Sequence, residues 1–164
     1  MEHLLSPYLV VKWIHVLSST VLFGTGIGSA FYMLFVSLAA RRQGGHAKAA
    51  AVVVRHVVLA DLWFTTPAII VQPLSGAYLV HTAGYPWTSP WLLASFALYL
   101  LAGACWLPVV WIQVRMRDLA DEADRRDAPL PPAYWRFLKV WTVLGIPAFV
   151  GLVVVFYLMV AKPA

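Results

Sequence analysis

Tyr8-Leu9-Val10-Val11-Lys12-Trp13-Ile14-His15 opens an apolar stretch that runs to about Ala40. Its length decides the fold class, because a helix needs only ~20 such residues to cross the hydrocarbon core of a bilayer. The stretch also holds a lysine and a histidine. An ionisable side chain at that depth is costly unless it faces something other than lipid. Any chemistry in this protein is therefore expected to centre on His15, with the other segments as walls around it.

Composition agrees. Of 164 residues, 62% are hydrophobic and 12% charged, with a mean hydropathy of +0.77. Ordinary soluble domains carry roughly 25% charged residues, so a conventional soluble core is excluded. Three more apolar runs of spanning length follow the first, and the short alternating segments of a β-barrel are absent. The expected fold is all-α: a four-helix transmembrane bundle forming one domain over 1–164, with helices at about 8–40, 49–81, 90–117 and 133–160. The first helix, at roughly 50 Å, exceeds the hydrocarbon thickness and should tilt or project into water.

The net charge of +5 and pI near 9.6 do not imply nucleic acid as a partner. Arg41, Arg42, Lys48 and Arg55 fall in or near the first connection, and Arg115, Arg117, Arg125, Arg126, Arg136 and Lys139 in or near the third. The second connection, 82–88, has no lysine or arginine. The positive-inside rule then puts connections one and three in the cytoplasm and both termini on the outer, periplasmic side of a cell inner membrane. With no basic n-region and a first run far longer than a signal core, the first segment is expected to be retained. Cys105 is the only cysteine, so no intrachain disulfide or paired-cysteine metal motif is available.

Punctuation sets the helix ends. Ser6-Pro7 and Thr88-Ser89-Pro90 read as helix starts, Gly44-Gly45 as a break, and Lys162-Pro163 as the last stop. Pro67 and Pro73 should kink the second helix, with Thr65, Thr66, Gln72 and Ser75 available to re-satisfy freed backbone groups. The charged run 115–127 should continue the third helix into water, as a solvated end or a docking segment.

On a helical wheel, Lys12, His15, Ser19, Leu22, Gly26 and Ser29 share one face of the first helix. Thr20, Gly24 and Gly28 form a separate small-residue stripe suited to close helix packing. His15 reads in three ways: a ligand to a cofactor or metal, a structural histidine bonded to a hydroxyl or amide, or a proton relay. Lys12 lines the same face or snorkels to headgroups. Gln72 lies roughly 14 Å below His81, and His15 roughly 10 Å below Tyr8, so Gln72 is the expected partner of the imidazole. His56 is far from His15, and a His15/His81 metal pair requires the proline kinks to draw the outer end of the second helix inward. Asp61 lies near an interface or pairs with Arg55 or a basic residue of the last helix. Trp13, Trp87, Trp91 and Trp135 read as interface anchors, and Trp63, Trp106 and Trp111 as bundle core or stacking surfaces. There is no phosphate loop and no serine-nucleophile pattern, so soluble-enzyme chemistry has no support.

Three stretches carry a resemblance. Lys12-Trp13-Ile14-His15 with Phe23-Gly24-Thr25-Gly26, Asp61 through Pro67 to Gln72-Pro73-Leu74-Ser75-Gly76, and Leu98 through Cys105-Trp106-Leu107-Pro108 together resemble an uncharacterised family of four-helix bacterial inner-membrane proteins. More distantly, the layout is similar to the HemJ-type protoporphyrinogen oxidases and to the CopD-type copper-resistance domain. Lys12-x-x-His15 matches the Lys-x-x-His of the HemJ-type first helix, and that resemblance implies haem ligation by the histidine. Thr66-Pro67-Ala68 with Gly76, and Gly145-Ile146-Pro147, resemble its second and last helices. The Asn-Glu that the HemJ-type last helix carries is replaced by apolar residues near Leu144 and Gly145. Copper would want methionines or further histidines near His15, and Met33, Met116 and Met159 stand far along their helices.

The leading expectation is a small membrane protein binding haem b in a redox or porphyrin-related role. His15 is the axial ligand, Lys12, Gln72 and Trp106 surround the pocket, and His81 is the candidate second metal ligand. The rival is a non-enzymatic subunit or scaffold that docks a second copy or another membrane protein through the first helix or 115–127. A third reading is a solute or proton path lined by Asp61, Thr65 and Gln72, for which the last helix offers almost no polar groups.

Overall fold

The structure, a computed structural model, describes residues 6–42 and 47–163. Helix α1 spans Pro7–Arg42, α2 Lys48–Thr82, α3 Pro90–Arg125 and α4 Pro132–Ala161, and all four are long and apolar enough to cross a membrane. Their outward faces carry large apolar side chains, among them Leu74 at 67% and Val160 at 85% exposure. A water-soluble monomer does not present such a surface; lipid accommodates it.

The helix ends follow local chemistry. Pro7, Pro90 and Pro132 each open a helix where a missing N–H costs nothing. Ser89 precedes α3 as expected, but its hydroxyl donates to the Pro86 carbonyl at 2.7 Å rather than capping the helix. The charged run does extend α3, as far as Arg125. After α4, Lys162 stands in the left-handed region at φ 43°. Its ammonium donates to the Tyr85 hydroxyl at 2.7 Å and lies over the Tyr85 and Trp91 rings, which offsets the backbone cost. The expected break at Gly44-Gly45 lies outside the described residues.

The second helix departs most from expectation. It is α-helical over Lys48–Ala60, widens to a π-turn over Asp61–Thr65, and resumes as α-helix over Thr66–Thr82. Pro67 lacks the N–H that would bond the Trp63 carbonyl, and one extra residue enters the turn just before it. The Thr66 N–H reaches back to the Asp61 carbonyl, which also accepts from the Thr66 hydroxyl at 2.9 Å. Farther along, Pro73 frees the Ile69 carbonyl. The group that satisfies it comes from a different helix: the Tyr99 hydroxyl of α3 donates there at 2.5 Å.

This extra residue re-aims α2 by about 100°. The Lys48–Ala60 half packs on both α1 and α3, whereas the Thr66–Thr82 half stays against α1 and stands away from the α3 backbone. The bundle is accordingly tight at the end carrying the first and third connections. There Ala50, Ala51, Ala120 and Ala123 let backbones approach, and Met33, Met116 and Tyr134 are fully buried. Ser37 and Tyr134 share a buried hydroxyl–hydroxyl bond of 2.7 Å across α1 and α4. At the other end a smaller cluster of Val80, Trp91 and Leu92 closes the bundle against Leu158 and Met159. Trp91 is thus buried, unlike Trp13 and Trp87, which face outward as expected. Trp63 and Trp111 also point outward, at 70% and 55% exposure, and line no core.

The small-residue stripe of α1 is left open. A Cβ added at Gly24 or Gly28 would meet nothing within 4 Å, so no other helix among the described residues packs on these glycines.

Candidate functional site: two cavities between the helices

Where α2 diverges from α3, a cavity of about 530 Å³ opens among all four helices. That lies within the roughly 300–1,000 Å³ of small-molecule sites. His15 lines it from α1. Three residues of α2 hold His15, two at its ring and one at its backbone. The Ser75 hydroxyl donates its proton to the Val71 carbonyl at 2.6 Å, so its oxygen faces His15 Nδ1, 2.8 Å away, as an acceptor. Gly76 lies flat against the ring; a Cβ there would stand 3.3 Å from Cε1. Gln72 Nε2 donates to the His15 main-chain carbonyl at 2.8 Å and to the Ser18 hydroxyl at 2.7 Å.

The tautomer that matches these bonds carries its proton on Nδ1. With Nδ1 donating to Ser75, the lone pair sits on Nε2, which has no hydrogen-bond partner among the described residues. An imidazole arranged in this way is prepared to ligate a metal or accept a hydrogen bond. Gln72 is therefore at the predicted depth but clamps the backbone of His15, and Ser75 takes the ring. Ser75 follows Gln72 by three residues, a spacing that puts both on one face of a helix, and this was the signal by which Ser75 could have been found.

The other predicted site residues divide. Lys12 lines the same cavity, exposed at its outer rim, with its ammonium 5.9 Å from the centre of the Tyr8 ring. Lys162 joins it there from the end of α4, so two cations border one mouth. His81 is exposed and does not line the cavity, so the structure does not bring it to His15. Five residues beyond Gly76, it is turned about 140° from the face that meets His15, and a straight outer half of α2 cannot reverse that. Met159, far along the last helix in sequence, lines the His15 cavity because α4 returns antiparallel to α1. No cluster of three or more histidine, cysteine, aspartate or glutamate side chains is present among the described residues.

Trp106 belongs to a second cavity of about 400 Å³, nearer the tight end. The two cavities share Leu22, Phe23, Tyr99 and Leu152 as their common wall. The Lys12–Ser29 face of α1 borders both in succession. Asp61 and Thr65 line the second cavity where the π-turn rotates them inward. Asp61 accepts from the Thr65 hydroxyl at 2.8 Å and is bonded by the side chain of Gln113. The expected partner, Arg55, instead pairs with Asp121 of α3 at 2.8 Å. Ser29, Tyr99, Cys105, Gln113, Trp141 and Thr142 add further polar atoms to this lining. Asp61 and Thr65 thus face one cavity and Gln72 the other, with the Tyr99 ring between them.

Comparison with curated proteins and with solved structures returned no match. A family comparison did return one, over residues 9–163, and the chain belongs to the family described as "Predicted integral membrane protein (DUF2269)".

Proposed function

We propose that this integral membrane protein binds haem b through His15 and serves in a redox or porphyrin-related role. The observation that carries the reading is the 2.8 Å approach of the Ser75 hydroxyl to His15 Nδ1, beside a cavity that His15 lines. With Ser75 accepting from Nδ1, the Nε2 lone pair is left for a ligand of the cavity of about 530 Å³ that His15 lines. A hydrogen bond from the far nitrogen of a ligating histidine raises its basicity and fixes its plane.

The residues present fit the group. Aromatic and aliphatic side chains such as Phe23, Phe96 and Phe156 suit a macrocycle, and Lys12 and Lys162 at the rim suit its carboxylates. Met159 adds a thioether to the same lining, and a methionine paired with histidine raises the potential of a haem. Bound haem iron would supply one-electron chemistry. Ser75 and Gly76 would hold the imidazole plane, Gln72 the backbone beneath it, and the Val80–Trp91–Leu92 cluster would limit water entry. The likeness of Lys12-x-x-His15 to the HemJ-type helix supports the same ligand. Leu144 and Gly145, which stand where that family has Asn-Glu, line the other cavity, so haem binding is favoured over porphyrinogen oxidation. By the positive-inside rule the His15 cavity opens toward the outer face of a cell inner membrane.

An absorption spectrum of the detergent-purified protein, oxidised and reduced and with added haem, tests the reading. The wild type should show a Soret band, His15→Ala should lose it, and Ser75→Ala should bind haem about ten- to hundred-fold more weakly. A wild type without a Soret band after haem addition would sink the proposal. It would favour the rival, a non-enzymatic subunit whose open Gly24–Gly28 stripe meets a partner helix.

A further inference from the structure

Among the described residues, Asp61 is the only aspartate or glutamate that borders either cavity, and it borders the one of about 400 Å³. The Arg55–Asp121 pair, half-exposed, marks the watery end of α2 and α3. Asp61 lies roughly 9 Å farther along α2 and Gln113 roughly 12 Å back along α3, and both are buried. A carboxyl at that depth is costly unless a cation or a proton neutralises it. Thr65 donates to it at 2.8 Å and Gln113 bonds it, but both partners are neutral. A carboxylate accepts at about four positions, so capacity is left over. No lysine, arginine or histidine borders the cavity. Those on the same two helices are engaged elsewhere: Arg55 with Asp121, His56 with the Val52 carbonyl, and Arg115 over the Trp111 ring.

The walls decide which cation suits the place. A bare metal ion such as calcium takes about six to eight oxygen ligands, whereas Asp61 is joined by only two oxygen-bearing side chains, Thr65 and Gln113. The rest of the lining is mostly apolar and rich in rings: Phe23 and Phe149 stack at 5.1 Å between centroids, and Tyr99, Trp106 and Trp141 also border the space. Aromatic faces attract organic ammonium groups, most strongly where water is excluded. Helices α1 and α4 both border the cavity and touch least of the neighbouring pairs, which leaves a lateral route from the hydrocarbon. An apolar cavity of this size with one convergent polar cluster has the make-up of a small-molecule site.

We propose that this cavity binds a lipid-soluble organic cation, whose ammonium group pairs with Asp61 and whose apolar body lies among the rings of α1, α3 and α4. The His15 cavity, with Lys12 and Lys162 at its rim, has the wrong sign for such a ligand, so the two cavities take molecules of different charge. The inference does not rest on the haem reading.

The test uses the full chain in nanodiscs of zwitterionic lipid, with binding measured by equilibrium dialysis and corrected for empty nanodiscs. The probes are phenylbutyl-trimethylammonium and the hydrocarbon of the same shape, with carbon in place of its nitrogen. The ammonium should bind saturably and at least about tenfold more tightly than the hydrocarbon. Asp61→Asn keeps the size of the side chain and an acceptor for Thr65. It should remove that preference while leaving hydrocarbon binding and the thermal midpoint in place. His15→Ala should leave ammonium binding unchanged. Equal binding of the two probes by the wild type overturns the proposal without recourse to any variant, and means that a proton neutralises Asp61. An undiminished preference in Asp61→Asn overturns it too, as does loss of ammonium binding in His15→Ala, which would assign the ligand to the other cavity. Saturable binding of radioactive sodium that Asp61→Asn abolishes would assign the site to an inorganic cation and overturn it as well.

Discussion

The two halves of this bundle, on either side of the π-turn at Asp61–Thr65, are built from similarly apolar helices yet pack differently. On one side, alanines at Ala50, Ala51, Ala120 and Ala123 bring α2 and α3 together and bury Met33, Met116 and Tyr134 completely. On the other, α2 leaves α3, and the space between them holds a histidine, two lysines and a methionine. Hydropathy selects the membrane, whereas residue size and one inserted residue in α2 decide where the bundle opens. Small residues make up for the absence of a hydrophobic drive between helices in lipid, since association there depends on close contact.

Truncation should expose the contrast most strongly. Met116→Ala removes a side chain with no solvent exposure from the tight half, and should cost about 2–5 kcal/mol in reversible unfolding from mixed micelles. Leu152→Ala, at the wall between the cavities, should cost only about 1 kcal/mol because its neighbours already border open space. Equal losses at the two positions would show that the halves do not differ in packing.

A smaller effect tests the seam between them. Tyr99→Phe leaves the Ile69 carbonyl without its donor, because Pro73 has none to offer. An acceptor stranded in that setting should cost about 1–3 kcal/mol in the same unfolding measurement. In Tyr99→Phe with Pro73→Ala the helix regains its own N–H, and the penalty should shrink. A double variant no more stable than Tyr99→Phe alone would mean that the carbonyl is not the reason Tyr99 matters.

Such cross-helix bonds mark the limit of what the sequence discloses. Helix number, extent and the starts at Pro7 and Pro90 were legible because length, hydropathy and proline are local signals. So was the face of α1 that carries Lys12 and His15, since it follows from helical spacing alone. The π-turn was not legible, because Pro67 predicts a disturbance and not its form. Nor were the pairings of Asp61 with Gln113, of Tyr99 with Ile69, or of His15 with Ser75 in place of Gln72, which depend on how far neighbouring helices rotate. The arrival of Lys162 and Met159 at the His15 cavity depends on the return path of α4, and the placement of Trp106 in the other cavity on the rotation of α3.

The smallest expected effect lies outside both cavities, at the charged end. Arg55 pairs with Asp121 at 2.8 Å, with side chains 52% and 26% exposed, and joins the Lys48–Ala60 half of α2 to α3. The pair sits on the tight half, so it offers a check on whether charge or packing holds that half together. Exposed pairs contribute about 0–1 kcal/mol, and salt screens them over a Debye length of about 10 Å at 0.1 M. Arg55→Ala should therefore lower stability by less than about 1 kcal/mol at low salt, and by still less at 1 M salt. Met116→Ala should lose the same amount at both salt concentrations, because a thioether has no charge to screen. A large, salt-sensitive loss at Arg55 would assign the tight half to its ion pairs, and the alanine contacts between α2 and α3 would then be its consequence and not its cause.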